Sequence, residues 1–298
     1  MKGRAKGEAR VAVRQRVATA VTALEAGIQG LRDSEAWRRY LEVQARFHRY
    51  SFGNCLLIAM QRPDATQVAG YRTWQGLGRQ VRAGERGITI LAPSFWHKAR
   101  PAKSDNGEEM AEDVVIHSYR DVKVFDVSQT EGDPLPEVGH RLRGETDPAL
   151  VAGLEGVAQS LGYRVERGCV FPDGRGGDVD LVAKVIRLNG EVDPAHSAKT
   201  LLHELAHVAL DHRGNGEARM SRASEELEAE SVAYIVASKM GMGVEAGEYS
   251  FGYVLCWAGE RDAVAQVRLH GDRIQRVAHR ILEMLEGEKL SKQEEGLT

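Results

Sequence analysis

Two histidines four residues apart, with a glutamate directly after the first, stand in the run Thr200-Leu201-Leu202-His203-Glu204-Leu205-Ala206-His207-Val208-Ala209-Leu210. On a helix, positions i and i+4 share a face, so two imidazoles at this spacing converge on one metal ion. Glu204 lies one position along, where its carboxylate reaches a water held by that ion. Two neutral imidazoles as ligands and one carboxylate as general base are the parts of a zinc hydrolase. The same pattern also arises by chance, as two core histidines satisfied by hydrogen bonds, so its surroundings decide. Asp193-Pro194 supplies a helix start, with Asp as N-cap and Pro at the first helical position, and Gly214 supplies a stop. The helix between is apolar nearly all round from Leu201 to Leu210 and should be buried. A buried helix carrying two His and a Glu needs compensation for those polar groups. Zinc or a similar divalent metal provides it.

Zinc sites of this kind take three protein ligands and keep a fourth position for water. The run Ala223-Ser224-Glu225-Glu226-Leu227-Glu228-Ala229-Glu230-Ser231-Val232-Ala233-Tyr234 offers four carboxylates. At helical spacing Ala223, Glu226, Glu230, Ala233 and Ala237 fall on one face. Small alanines permit close approach to another helix, so the two glutamates between them would be buried, and buried carboxylates need a cation or a donor. Glu226 is the expected third ligand. Glu230, one turn later, is expected to orient a ligand histidine. Glu225 and Glu228 lie off this face and read as solvated. Without the paired histidines the whole run would pass for an acidic surface helix.

The His-Glu-x-x-His motif followed some twenty residues later by this glutamate pattern resembles the glutamate-ligand zinc peptidases. The local strings HELAHVAL and ELEAESVAY are similar to the ImmA/IrrE group of bacterial metallopeptidases, in which Glu226 matches the glutamate of the second signature. Glu230 stands where that group often has asparagine.

The chain has 298 residues, enough for two domains, and no apolar run approaches membrane-spanning length. No secretory segment is recognisable near the start. Cys55, Cys169 and Cys256 are odd in number and widely spaced, which fits thiols in a reducing cytoplasm. The net charge of −3 hides an asymmetry: residues 1–103 hold 19 Lys and Arg against 7 Asp and Glu, a net of +12, which leaves −15 for the remainder. A split of this kind points to a polyanion as partner of the N-terminal part.

Helical patterns cover residues 8–26, with Val13, Val17, Ala20, Val21 and Leu24 on one side, then residues 34–49; an apolar stretch follows at 54–60, ended by Pro63. Residues 68–93 are punctuated by glycine and read as short strands and turns. Strand-like runs follow at 114–116 and 122–127. Residues 128–147, rich in Pro and Gly, read as an interdomain linker. A helix at 149–161 opens the second domain, with strands at 163–165, 180–182 and 185–188, the two motif-bearing helices, and a last helix over 263–286 stopped at Gly287. The predicted fold class is α+β in two domains: an N-terminal α/β DNA-binding domain (1–127) and a C-terminal zincin-like metallopeptidase domain (148–298).

Arginines and aromatic rings interleave in the N-terminal part. Arg46, Arg49, Arg72, Arg79, Arg82 and Arg86 can engage phosphates, Tyr50, Tyr71 and Trp74 can stack on unpaired bases, and Asn54 adds a polar contact. Duplexes hide base faces, so the rings favour single strands. Tyr50-Ser51-Phe52-Gly53-Asn54, Gly70-Tyr71-Arg72-Thr73-Trp74 and Leu77-Gly78-Arg79-Gln80-Val81-Arg82, with Val124-Phe125-Asp126-Val127 and Tyr249-Ser250-Phe251-Gly252-Tyr253, closely resemble the ArdC-type antirestriction proteins. The resemblance implies a single-stranded-DNA-binding domain joined to a zincin-like peptidase domain; double-stranded DNA is a secondary candidate partner, and a protein substrate or restriction-system component is still to be named. Residues His203, His207 and Glu226 would hold zinc, and Glu204 would activate water. Tyr234, Tyr249 and Tyr253 are candidate oxyanion donors among which the sequence does not choose. A rival reading is a DNA-binding decoy whose metal site is structural or vestigial. A third, a zinc nuclease, is disfavoured because such enzymes gather more carboxylates around two metals.

Overall fold

The computed structural model describes residues 2–31, 34–97, 114–134, 148–212, 221–242 and 263–295. The architecture is α+β, with the chain forming two compact units, Met1–Gly27 with Leu56–Leu135 and Ile28–Cys55 with Pro136–Thr298. The division is not linear along the chain. Residues 28–55, placed by the sequence in the first domain, pack with the second unit, because their apolar side chains find their partners there.

In the first unit, helix α1 (Lys2–Gly30) turns Ala20 and Leu24 inward, following the expected apolar stripe. Strand β1 (Val68–Gly70) leads into a short helix, α4 (Tyr71–Gly76), in the region read as strands and turns. Six residues are too few for a 3.6-residue periodicity to show. Strand β2 (Arg79–Val81) follows, then β3 (Ile88–His97) and β4 (Val114–Asp126). The sheet order is β1-β4-β3, all antiparallel, with Ile88 opposite Val124 and an irregularity between Ser94 and Phe95. The two runs expected at 114–116 and 122–127 are one continuous strand. A 3-10 turn (Val127–Gln129) and β5 (Thr130–Gly132) occupy the start of the stretch read as linker, and β5 pairs with β2.

The second unit takes helix α2 (Ser34–Arg46) and the first turn of α3 (Phe52–Gln61) from the N-terminal part. After α5 (Pro148–Ser160), strands β6 (Arg164–Cys169), β7 (Gly177–Asp180) and β8 (Val185–Asn189) form a sheet in the order β6-β8-β7, with β6 parallel and β7 antiparallel to β8. Helix α6 (Pro194–Ala209) packs on this sheet and against α7 (Arg222–Met240), which also receives α2 and α8 (Ala263–Glu295). Gly176 and Gly177 permit the close approach of β7 to α6: a Cβ on either would fall within 3 Å of Thr200. Helix α8 continues through Gly287 to Glu295, past the expected stop, since one glycine costs a helix only about 1 kcal/mol. Among the described residues no helix is long and apolar enough to cross a membrane.

Candidate metal centre

Helix α6 begins where the sequence predicts. Asp193 accepts hydrogen bonds from the backbone N–H groups of Ala195 and His196, both at 3.0 Å, and Pro194 occupies the first turn. Leu201, Leu202, Leu205 and Ala206 are fully buried, which pins the helix axially and rotationally and so aims His203 and His207 at α7. Helix α7 starts at Ser221, whose hydroxyl accepts from Ser224 N–H, and ends at Gly241 in the left-handed conformation (φ 73°).

The side chains of His203, His207 and Glu226 present ligand atoms that all lie within 4.8 Å of one another. Both histidines turn Nε2 inward: the two nitrogens are 3.0 Å apart, and Glu226 Oε2 lies 3.4 Å from His203 and 3.6 Å from His207. Two imidazoles and a carboxylate this close are held together by a shared cation, either a proton on His203 or a metal ion in its place. Two nitrogens and an oxygen suit zinc and comparable divalent ions, so the residues present fit a metal. The electrostatics agree. Burial works against charge on His203, yet hydrogen bonds to Glu226 and Glu230 and the charge of Glu204 outweigh it and raise the imidazole from 6.5 to about 10. Contacts with the same two histidines drive Glu226 strongly down, and burial holds His207 below its ordinary value.

The outer nitrogens are also engaged. His203 Nδ1 lies 3.0 Å from Glu230 Oε2, the contact that the sequence assigns to Glu230. His207 Nδ1 lies 2.8 Å from Nδ1 of His212. His212 in turn reaches Glu228, whose carboxylate is entirely buried. The sequence places Glu228 in solvent; it is instead the centre of a cluster with His212, His270 and Arg273. Helical spacing alone could not reveal this, because His212 lies beyond the end of α6 and His270 arrives from α8. Glu225 and Glu204 are half-buried. The Tyr234 hydroxyl donates to Glu42 of α2 at 3.4 Å, while Tyr249, Tyr253, Gly214 and Cys256 lie outside the described residues.

The candidate DNA residues are divided between the two units. Arg46, Arg49, Tyr50 and Asn54 belong to the unit that holds the metal centre; Tyr71, Arg72, Trp74, Arg79, Arg82 and Arg86 belong to the other. Trp74 is 2% exposed and its indole N–H donates to the Phe125 carbonyl, so it is a core residue with no face for a base, a correction to its expected stacking role. Arg79 is committed to the carbonyls of Thr130, Gly132 and Asp133, and Arg82 to that of Ser128 and to Glu85. Arg49 pairs with Glu286 at 3.3 Å. Arg72 and Arg86 are exposed and, among the described residues, make no ion pair. Tyr71 is 42% exposed, with its hydroxyl bonded to the Gln80 amide.

Residues 12–125 match the profile of the N-terminal domain of anti-restriction factor ArdC, and residues 166–243 match the peptidase M78 profile, an IrrE N-terminal-like domain. The chain is an ArdC-type protein. The fold agrees. The Mn(II)-bound crystal structure of the antirestriction ArdC protein from plasmid R388 is similar over 80% of this chain and 84% of that one, with 22% identity and a TM-score of 0.51. Its metal-free form gives 18% identity and a TM-score of 0.49 over 80% and 86%. No curated protein matches the chain. In this ArdC-type chain the metal-ligand cluster falls wholly within the peptidase-like match, and Tyr71, Arg72, Arg79, Arg82 and Arg86 fall within the ArdC one.

Proposed function

We propose that the chain is an antirestriction protein that binds single-stranded DNA and carries a zinc-dependent peptidase centre. The observation that carries the catalytic half is the convergence of His203 Nε2, His207 Nε2 and Glu226 within 4.8 Å, with Glu204 adjacent on the same helix. A divalent ion bound there would polarise water and a peptide carbonyl. The two histidines and Glu226 hold the site together. Glu204 accepts the proton of the attacking water and delivers it to the departing amine. Glu230 keeps the His203 ring oriented. The intact Glu204 favours hydrolysis over a structural or vestigial site, since metal retention alone has no need of it. Manganese is an alternative occupant, because the similar R388 protein was crystallised with Mn(II) and the donor set accepts either ion.

The DNA half rests on the matched ArdC domain and on the basic N-terminal sequence, with Arg72, Arg86 and Tyr71 as exposed contacts in the first unit. The test is a metal-loaded preparation incubated with a peptide library and with restriction-system components, with and without single-stranded DNA. Cleavage that vanishes in Glu204→Gln supports the reading. A chain that binds DNA and metal but cleaves nothing in any arm is the decoy instead.

A further inference from the structure

The end of α6 folds back so that one residue touches a ligand twice. Asp211 adopts a left-handed conformation (φ 54°), its N–H bonds the Val208 carbonyl at 3.1 Å, and the His212 N–H bonds the His207 carbonyl at 3.1 Å. This pair of bonds closes the helix as a Schellman turn built on aspartate, a residue that visits this region more readily than most. The turn returns the His212 ring to the ring of His207, Nδ1 to Nδ1 at 2.8 Å. His212 Nε2 then meets Glu228 Oε2 at 2.8 Å, and Glu228 Oε1 receives His270 Nδ1 at 2.6 Å and Arg273 Nε at 3.3 Å. Arg273 also donates to the Leu210 carbonyl at the end of α6, at 2.9 Å.

We propose that His212, backed by Glu228 and His270, is a positioning residue that sets the tautomer and orientation of His207 for metal. This rests on the metal-centre reading above. The proton assignment follows from the contacts. Both oxygens of Glu228 face nitrogens, His212 Nε2 on one and His270 Nδ1 with the Arg273 guanidinium on the other, so the carboxylate only accepts. A neutral His212 therefore carries its proton on Nε2, which leaves Nδ1 as an acceptor. Nδ1 of His207 must then carry the proton that His212 accepts, and Nε2 of His207 is left with a lone pair facing His203 and Glu226. The two ligands thus reach the same state by different routes: His203 through one carboxylate, Glu230, and His207 through an imidazole with a carboxylate behind it. Glu230 is half-buried, whereas Glu228 has no exposure at all, so the His207 branch is sealed from water and sets the more rigid of the two ligands.

The test is cobalt(II) titration of the metal-free full-length protein, reading Kd by chelator competition and the visible absorption bands of the bound ion, with circular dichroism as a check on folding. Glu228→Gln places an amide that can donate to His212 Nε2 and so reverses its tautomer; His212→Leu removes the acceptor. Both are expected to weaken cobalt binding about 10–100-fold and to shift the bands. His212→Asn, whose amide oxygen stands near the position of Nδ1, is expected to recover most of the affinity, which a loss of packing alone would not predict. Should Glu228→Gln fail to fold, the comparison of Asn with Leu at 212 carries the result. Wild-type affinity and bands in His212→Leu, or equal losses in the Asn and Leu variants, would overturn the proposal. Glu226→Gln separates the two readings: if it keeps cobalt, the metal centre itself is misassigned; if it loses cobalt while the His212 and Glu228 variants do not, only the tether fails.

Discussion

Among the carboxylates at 226, 228 and 230, the side-chain contacts favour Glu226 for the proposed metal site. Glu226 reaches both histidine Nε2 atoms, at 3.4 and 3.6 Å, while Glu230 reaches only the outer nitrogen of His203. Glu226→Gln is therefore expected to lose the metal, measured by elemental analysis of the purified protein. Retention there with loss in Glu230→Gln would reverse the assignment. Glu204 makes a complementary prediction. As the proposed general base it would be dispensable for metal but needed for hydrolysis, so Glu204→Gln should keep full metal content and lose about 10²–10⁴-fold in turnover. A wild-type rate in that variant would exclude the mechanism.

Single elements depend on a few polar anchors. Asp126 closes the 3-10 turn after β4: it is 1% exposed, accepts from Ser128 N–H and the Ser128 hydroxyl with one oxygen, and from the N–H groups of Thr66 and Gln67 with the other. Burial favours the neutral acid, but these donors prevail and hold the carboxyl below its ordinary value of 3.8. Its contribution is thus complete above pH 3.8 and disappears as pH falls through the lower folded value. Asp126→Asn should destabilise the first unit by about 1–3 kcal/mol at neutral pH and flatten its stability profile below pH 4. Thermal melts at pH 3 and pH 7 measure both effects, and an unchanged acid response would show that other carboxylates dominate. In the second unit, α2 is held on α7 by Trp37, which is fully buried and donates its indole N–H to the Ser231 hydroxyl at 3.0 Å. Trp37→Ala should cost about 3–5 kcal/mol in the unit that carries the metal helix, although the residue lies in the first fifth of the chain. Melting followed through the bound metal would show it.

At the scale of the whole molecule, the distribution of residues 28–55 alters how DNA binding is to be tested. A fragment of residues 1–127 would strand Trp37 without α7, so the intact chain is the sample of choice. Affinity for a single-stranded oligonucleotide should fall with salt, with a log–log slope of about −0.7 for each phosphate contact. Arg72→Ala and Arg86→Ala should each flatten that slope, whereas Tyr71→Ala should lower affinity and leave the slope nearly unchanged. Arg79→Ala should chiefly loosen β5, whose carbonyls its guanidinium holds. Fluorescence anisotropy across a salt series distinguishes these, and a salt-insensitive interaction would remove the phosphate contacts altogether.

The amino-acid sequence by itself determined what local periodicity and local chemistry can express. The His203–Glu204–His207 register follows from the i, i+4 rule, the start of α6 from Asp193-Pro194, and Glu226 from two glutamates on an alanine-lined face. The order of strands and helices follows likewise, apart from α4, too short for its period to register, and the strand break at 117–121, where polar residues interrupt an alternation that β4 carries through. Tertiary structure alone decided the rest. His212 meets His207 only because Asp211 turns left-handed, and a single positive φ leaves no periodic trace. Glu228 is buried because α8 delivers His270 and Arg273 to it from more than forty positions away in the chain. Trp74 becomes core because its indole meets the backbone of β4. Residues 28–55 join the second unit because burial follows the nearest matching apolar surface in space, and no linear reading of the chain contains that distance.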